Sequence, residues 1–237
     1  MVVTTILVVL AAFLGSFVAQ HSIDKVQVNM KHFFAFSGAF LFGLTVTHLF
    51  PMLYSAATSH LFSLLILVGF LLQLILEKLT KGIEHGHLHL HNTDDNLTHH
   101  HIPFSVMFGL SIHSFLEGLP LAQLATQTNS ISIGIIIHKV PEAMALMSVL
   151  MCKEFNVKRP WLLMIFFALL TPLGTFAGYM LQMYKLENLL QPLVALVAGS
   201  FIHIASTIIF ESGSSVHHVP YSRIIIISIG FAIAACL

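Results

Sequence analysis

Apolar runs of membrane-crossing length succeed one another along this chain, and little else about it constrains the fold as strongly. A helix rising 1.5 Å per residue needs ~20 apolar residues to cross a ~30 Å hydrocarbon core. Eight stretches are read as spans on that basis, the eighth being short: Val2–Ala19, Phe33–Tyr54, Leu61–Leu79, Pro103–Gln123, Ile131–Met151, Trp161–Met183, Leu189–Phe210 and Tyr221–Leu237. In hydrocarbon every backbone polar group must be satisfied internally, so such runs are predicted to be transmembrane helices. The expected fold class is an all-α membrane protein of eight transmembrane helices. Only 8% of residues are charged, against about 25% in an ordinary soluble domain, which excludes that class.

The first run opens with Met1-Val-Val-Thr-Thr, without the basic region of a signal peptide, so it is read as an uncleaved span. Lys25 and Lys31, Lys78 and Lys81, Lys153, Lys158 and Arg159, and finally Arg223 fall in alternate connections, while the others hold only Lys185. The positive-inside rule makes the first set cytoplasmic and places both termini outside. Zero net charge gives no electrostatic footprint for nucleic acid. Cys152 and Cys236 fit neither a zinc motif nor a disulfide framework.

The longest connection, 80–101, is expected to be a cytoplasmic loop carrying His85, His87, His89, His91, His99, His100 and His101 beside Glu84, Asp94 and Asp95. Clustered imidazoles are a compositional signal for metal binding. The tract reads equally as a polar linker that binds metal loosely.

Two segments concentrate the chemistry: His113-Ser-Phe-Leu-Glu117 and His138-Lys-Val-Pro-Glu142. Residues four apart share a helix face, so each segment points one imidazole and one carboxylate in one direction. A carboxylate at the centre of a membrane helix costs ~2.5–3.5 kcal/mol on insertion scales, and it normally faces protein or a water-filled path. Counting 1.5 Å per residue along antiparallel spans puts His113 ~15 Å and Glu142 ~13 Å from the inner edge of the core. On the same basis Glu117 lies at ~21 Å and His138 at ~19 Å. The four groups therefore meet near the midplane.

Two neutral imidazoles and two carboxylates form an N₂O₂ set whose charge matches a divalent cation. Zn²⁺ suits it, and Fe²⁺, Mn²⁺, Co²⁺ and Cd²⁺ remain compatible. The plainer alternative is a structural cluster in which each His bonds a Glu and Lys139 neutralises one carboxylate. Pro120 and Pro141 each remove a helix hydrogen bond, freeing the carbonyls of Leu116 and Ile137 beside the site. His203, Thr207 and Glu211 line one stripe of the seventh run as a candidate exit route, with Glu211 alternatively a helix end in water. His48 and Met52 mark a candidate way in, though a lone membrane His more often bonds a neighbouring helix. Gly174 and Gly178 form a small-xxx-small pair that fits close helix packing.

The paired motifs His-Ser-Phe-Leu-Glu-Gly at 113–118 and His-Lys-Val-Pro-Glu-Ala at 138–143 resemble those of the ZIP (Zrt/Irt-like) metal transporters. Thr171-Pro-Leu-Gly174, His48-Leu-Phe-Pro51 and the His-rich third loop support the likeness, which extends over essentially the whole chain. The resemblance implies one transporter domain over 1–237, with eight helices in a 3+2+3 bundle and extracytoplasmic termini. It further implies a homodimer in the plasma (bacterial inner) membrane that moves Zn²⁺ or related cations toward the cytosol. An elevator-like alternating-access cycle belongs to the same expectation, and no organic cofactor does.

The family's fuller pattern holds a second metal through the residues that follow each His. Here those are Ser114 and Lys139, and a protonated lysine repels a cation. The expected site is thus a single metal on His113, Glu117, His138 and Glu142, with the Lys139 ammonium in the second cation's place. The competing function is an intramembrane metal-dependent hydrolase, which would activate water on Zn²⁺. Neither pair contains the His-Glu-x-x-His arrangement of that chemistry. A membrane-bound His-rich metal sensor is a third reading.

Overall fold

The computed structural model describes residues 2–56, 60–80, 102–123, 129–152, 155, 157–211 and 220–237. Of these, residues 22–31, 55, 56, 102, 103, 123, 129, 187 and 211 are described by backbone alone. The helices are α1 (Val2–Leu44), α2 (Phe50–Ala56), α3 (His60–Thr80), α4 (Ile102–Gln123), α5 (Asn129–Leu150), α6 (Pro160–Met183), α7 (Glu187–Glu211) and α8 (Tyr221–Cys236). A π-helical turn, Thr45–Leu49, joins α1 to α2. Among the described residues the chain is all-helical, as the apolar runs predict.

One boundary differs from the expectation. The backbone between the first two apolar runs was expected to form a loop, yet it stays helical through Lys25 and Lys31. Residues 20–32 contain neither Gly nor Pro, so nothing local stops the helix. Its axis nevertheless reverses. Gly15 packs against Val140 and Ala143, while Leu41 and Leu44 pack against Gly134. Those α5 positions lie within ~14 Å, whereas Gly15 and Leu44 on a straight helix would stand ~43 Å apart. The two arms of α1 therefore run antiparallel along α5, and they count separately as the candidate spans Val2–His21 and His32–Tyr54.

Among the described residues, seven segments are long and apolar enough to cross a membrane, and α8, at 16 residues, is a shorter apolar helix. Arg223 at the start of α8 donates through Nη2 to the carbonyl of Ile209 at 2.6 Å and to that of Ile208 at 3.3 Å. This satisfies carbonyls near the end of α7 that no further helical turn would reach.

Packing fixes what surrounds the centre of the bundle. Lipid is as apolar as leucine, so membrane helices associate through close van der Waals contact and interhelical hydrogen bonds. Helix α6 presses against α4 where a Cβ on Gly174 would collide with the carbonyl oxygen of Phe115. A Cβ on Gly118 would likewise strike the carbonyl of Thr171. The small-xxx-small pair is thus a backbone crossing, as its spacing predicts.

Two apolar clusters divide the interior. One gathers Val106 and Leu110 of α4, Leu146 and Val149 of α5, Met164 and Phe167 of α6, and Ile204 of α7. The other gathers Leu41, Leu119 and Leu121, Ile131 and Ile135, and Phe201. On both α4 and α5 the His–Glu motifs lie between the stretches that feed the two clusters.

Candidate metal centre

The polar layer between these clusters contains His113, Ser114 and Glu117 from α4, and His138, Lys139 and Glu142 from α5. Each is no more than 3% exposed. Helical spacing alone brings His113 Nε2 to 3.4 Å from Glu117 Oε2. Across the helices, His113 Nε2 lies 3.9 Å from Glu142 Oε1, matching the depths expected from the sequence. The imidazoles of His113 and His138 stand edge to face with centroids 6.2 Å apart. His113, His138 and Glu142 each offer one ligand atom, all within 4.8 Å of one another.

Lys139 organises the other half of the layer. Its Nζ donates to Glu142 Oε2 at 2.6 Å and to Ser114 Oγ at 2.9 Å, and it pairs with Glu117 Oε1. The three N–H groups of an ammonium are thereby all engaged. The same nitrogen sits 4.8 Å from the ring centroid of Phe167, where the ring's negative face adds a cation–π contribution. The plainer alternative had Lys139 neutralising one carboxylate. It bridges both, because its stem lies on the α5 face that meets α4 and reaches between them.

Each carboxylate is consequently split in function. Glu117 Oε1 and Glu142 Oε2 hold the ammonium, while Glu117 Oε2 and Glu142 Oε1 lie on the His113 side. Two carboxylates against one ammonium leave a negative charge in a buried layer, an environment that attracts a cation.

Residues outside the two motifs complete the layer. Thr171 of α6 donates to Glu117 Oε1 at 2.9 Å and lies 3.0 Å from both the hydroxyl and the carbonyl oxygen of Ser114. Ser37 Oγ of α1 lies 3.4 Å from His138 Nδ1. Neither role follows from spacing, because both depend on which faces of α1 and α6 meet the motif helices. Thr171 carried a signal nonetheless, as a hydroxyl within the Thr-Pro-Leu-Gly segment.

The remaining candidates lie elsewhere. His203 of α7 pairs through Nε2 with Glu77 Oε2 of α3, a carboxylate near the end of its apolar run that sequence reasoning passed over. The edge of Phe70 packs on the same imidazole at a centroid distance of 4.6 Å. One turn before Glu77, Ser200 donates to Gln73 at 2.7 Å, so α3 and α7 share a short polar ladder. Thr207 turns its hydroxyl to the His203 carbonyl at 2.9 Å. His48 sits in the π-helical turn with Nδ1 2.7 Å from Thr47 Oγ1, and Met52 packs against the second apolar cluster. The side chain of Glu211 and the loop residues His85, His87, His89, His91, His99, His100 and His101 lie outside the described residues.

The family model for the ZIP zinc transporters matches residues 83–237, which include both His–Glu motifs and all of α4 to α8. The chain belongs to the ZIP zinc transporter family. It is also similar to Protein zntD of Dictyostelium discoideum, at 29% identity over 140 residues, or 53% of this chain and 20% of that protein. The chain thus spans about a fifth of the length of this curated relative. Membership of a ZIP family, together with seven apolar spans, makes this an integral membrane protein. The ZIP match falls on the helices that build the buried layer, and α1 to α3 lie outside it.

Proposed function

We propose that this protein carries a divalent transition metal, zinc foremost, across the membrane, and that His113, Glu117, His138 and Glu142 hold the ion in transit. One observation carries the reading: two buried carboxylates each give one oxygen to Lys139 and turn the other toward His113. A metal seated there takes two imidazole nitrogens and two monodentate carboxylate oxygens, a tetrahedral set suited to Zn²⁺. Fe²⁺, Mn²⁺, Co²⁺ and Cd²⁺ share the ligand chemistry and form the remaining substrate class.

The site takes one ion. Lys139 occupies the space between Glu117 and Glu142, where a second cation would need the oxygens the ammonium already holds. Its positive charge, buried beside the first metal, opposes another divalent ion. Apolar clusters on both sides close the layer, so passage requires the helices to part on one side and then the other. Movement toward the cytosol in an elevator-like cycle, a homodimer and a plasma (bacterial inner) membrane location belong to this proposal through the family. His203 with Glu77, and His48 with Met52, are its further stations along the path, and the His-rich loop its accessory metal-binding segment. The matched family is one of transporters, which favours transport over the hydrolase reading.

Uptake of Zn²⁺, Fe²⁺, Mn²⁺ and Cd²⁺ into proteoliposomes containing the full chain tests the proposal. Zinc flux above that of protein-free vesicles is expected, and its absence with all four metals would refute it.

A further inference from the structure

A closed ring of hydrogen bonds runs through the polar layer. Lys139 Nζ donates to Ser114 Oγ at 2.9 Å, and Ser114 Oγ lies 3.0 Å from Thr171 Oγ1. Thr171 Oγ1 donates to Glu117 Oε1 at 2.9 Å, and that oxygen pairs back to Lys139. A hydroxyl carries one proton and accepts through its lone pairs. Ser114 accepts from the ammonium, and the single Thr171 proton has two acceptors in range, Glu117 Oε1 at 2.9 Å and the Ser114 carbonyl at 3.0 Å, of which the charged carboxylate is the stronger. All four residues are buried, with Ser114, Glu117 and Thr171 fully so.

We infer that Thr171 is a specificity-determining positioning residue, whose hydroxyl keeps Glu117 a monodentate ligand and so favours zinc over cations of higher coordination number. The inference rests on the proposed metal site and concerns how α6, which supplies none of the four ligands, shapes it. With Oε1 held by Thr171 and Lys139 together, Glu117 offers only Oε2 to an ion beside His113. Four monodentate ligands suit tetrahedral Zn²⁺, whereas Mn²⁺ favours more oxygen donors and near-octahedral geometry. Removing the Thr171 hydroxyl leaves Oε1 with the ammonium alone. The carboxylate then has freedom to turn and present both oxygens. The backbone crossing at Gly118 and Gly174 holds Thr171 against α4, so the hydroxyl is a fixed element rather than a chance contact.

Competitive uptake of Zn²⁺ and Mn²⁺ from an equimolar mixture, with the full chain in proteoliposomes, tests this. Thr171→Val keeps the side-chain shape and removes the hydroxyl, Thr171→Ser restores it, and Thr171→Ala removes the hydroxyl with less bulk should the valine variant not insert. Loss of a group that orients a metal ligand typically costs 10–100-fold in affinity. The zinc KM should rise about tenfold in Thr171→Val without a matching rise for manganese, lowering the zinc preference by the same factor. Thr171→Ser should retain the wild-type preference, and Thr171→Ala should lose it. An unchanged preference in Thr171→Val, or an equal loss in Thr171→Ser, would overturn the inference. His113→Ala run alongside separates the two levels: abolished uptake leaves the site proposal standing whatever Thr171 does, and undiminished uptake removes the site and the inference together.

Discussion

Lys139 donates to Glu142 Oε2 across 2.6 Å and leaves Oε1 of the same carboxylate on the His113 side. The residues are three apart on α5, so their pairing is local, yet it leaves a membrane-buried carboxylate with one oxygen on the ammonium and the other on the side where the proposed ion would sit. An ammonium fixed in the protein supplies part of the charge that a second metal would otherwise bring.

Removing a proposed ligand should abolish transport without unfolding the protein. His138→Ala and Glu142→Ala are each expected to lower zinc uptake by more than about 100-fold, since even an orienting group is worth 10–100-fold. Uptake at matched expression, with size-exclusion profiles to show intact protein, measures this. Near wild-type flux in either variant would refute the assignment.

Lys139 separates the one-metal account from a two-metal one. Lys139→Ala leaves Glu117 and Glu142 without their shared cation, so the first ion should bind more tightly and leave more slowly. Lys139→Asp places a third carboxylate in the layer, and the protein should become metal-dependent in stability. Thermal unfolding with chelator and with added Cd²⁺ reads this, and the melting temperature should rise with metal far more than in the wild type. Equal metal-induced shifts in the two proteins would count against the role of the ammonium.

Acid should weaken binding. Protons compete with metal for imidazole nitrogens and carboxylate oxygens, so binding releases protons and affinity rises with pH. Calorimetric titration of a protein lacking residues 81–101, in buffers from about pH 5.5 to 7.5 across the usual imidazole range, should show affinity increasing throughout. A flat profile would argue that His113 and His138 are not ligands.

The sequence carried the motif helices because i, i+4 spacing is a local property. Depth counting also placed His113 level with Glu142, since both helices run on unbroken past Pro120 and Pro141. What it lacked was rotation. Whether Thr171 faces Glu117, or Glu77 faces His203, depends on which glycines allow two backbones to cross, and that emerges only from packing. The helical backbone of the first connection escaped for a related reason. A polar stretch without Gly or Pro looks like a loop by hydropathy while its backbone remains a competent helix.

The α4–α6 crossing makes a stability prediction of its own. Gly174→Ala builds a Cβ into the Phe115 carbonyl, so the helices must separate and carry Thr171 away from Glu117. Overpacking of this kind costs typically 1–3 kcal/mol. The purified variant should melt at lower temperature than the wild type, with zinc uptake reduced beyond what protein loss explains. An unchanged melting temperature would show that the crossing has room to adjust.

The central claim is a single ion held by four named side chains, and anomalous diffraction from zinc-soaked crystals tests it most directly. The account predicts one peak between α4 and α5, at ~2.0–2.2 Å from an imidazole nitrogen of His113 and of His138 and from one carboxylate oxygen each of Glu117 and Glu142, with Lys139 still bridging the other two oxygens. No peak at that place, or two peaks between those helices in the unmodified protein, would contradict it.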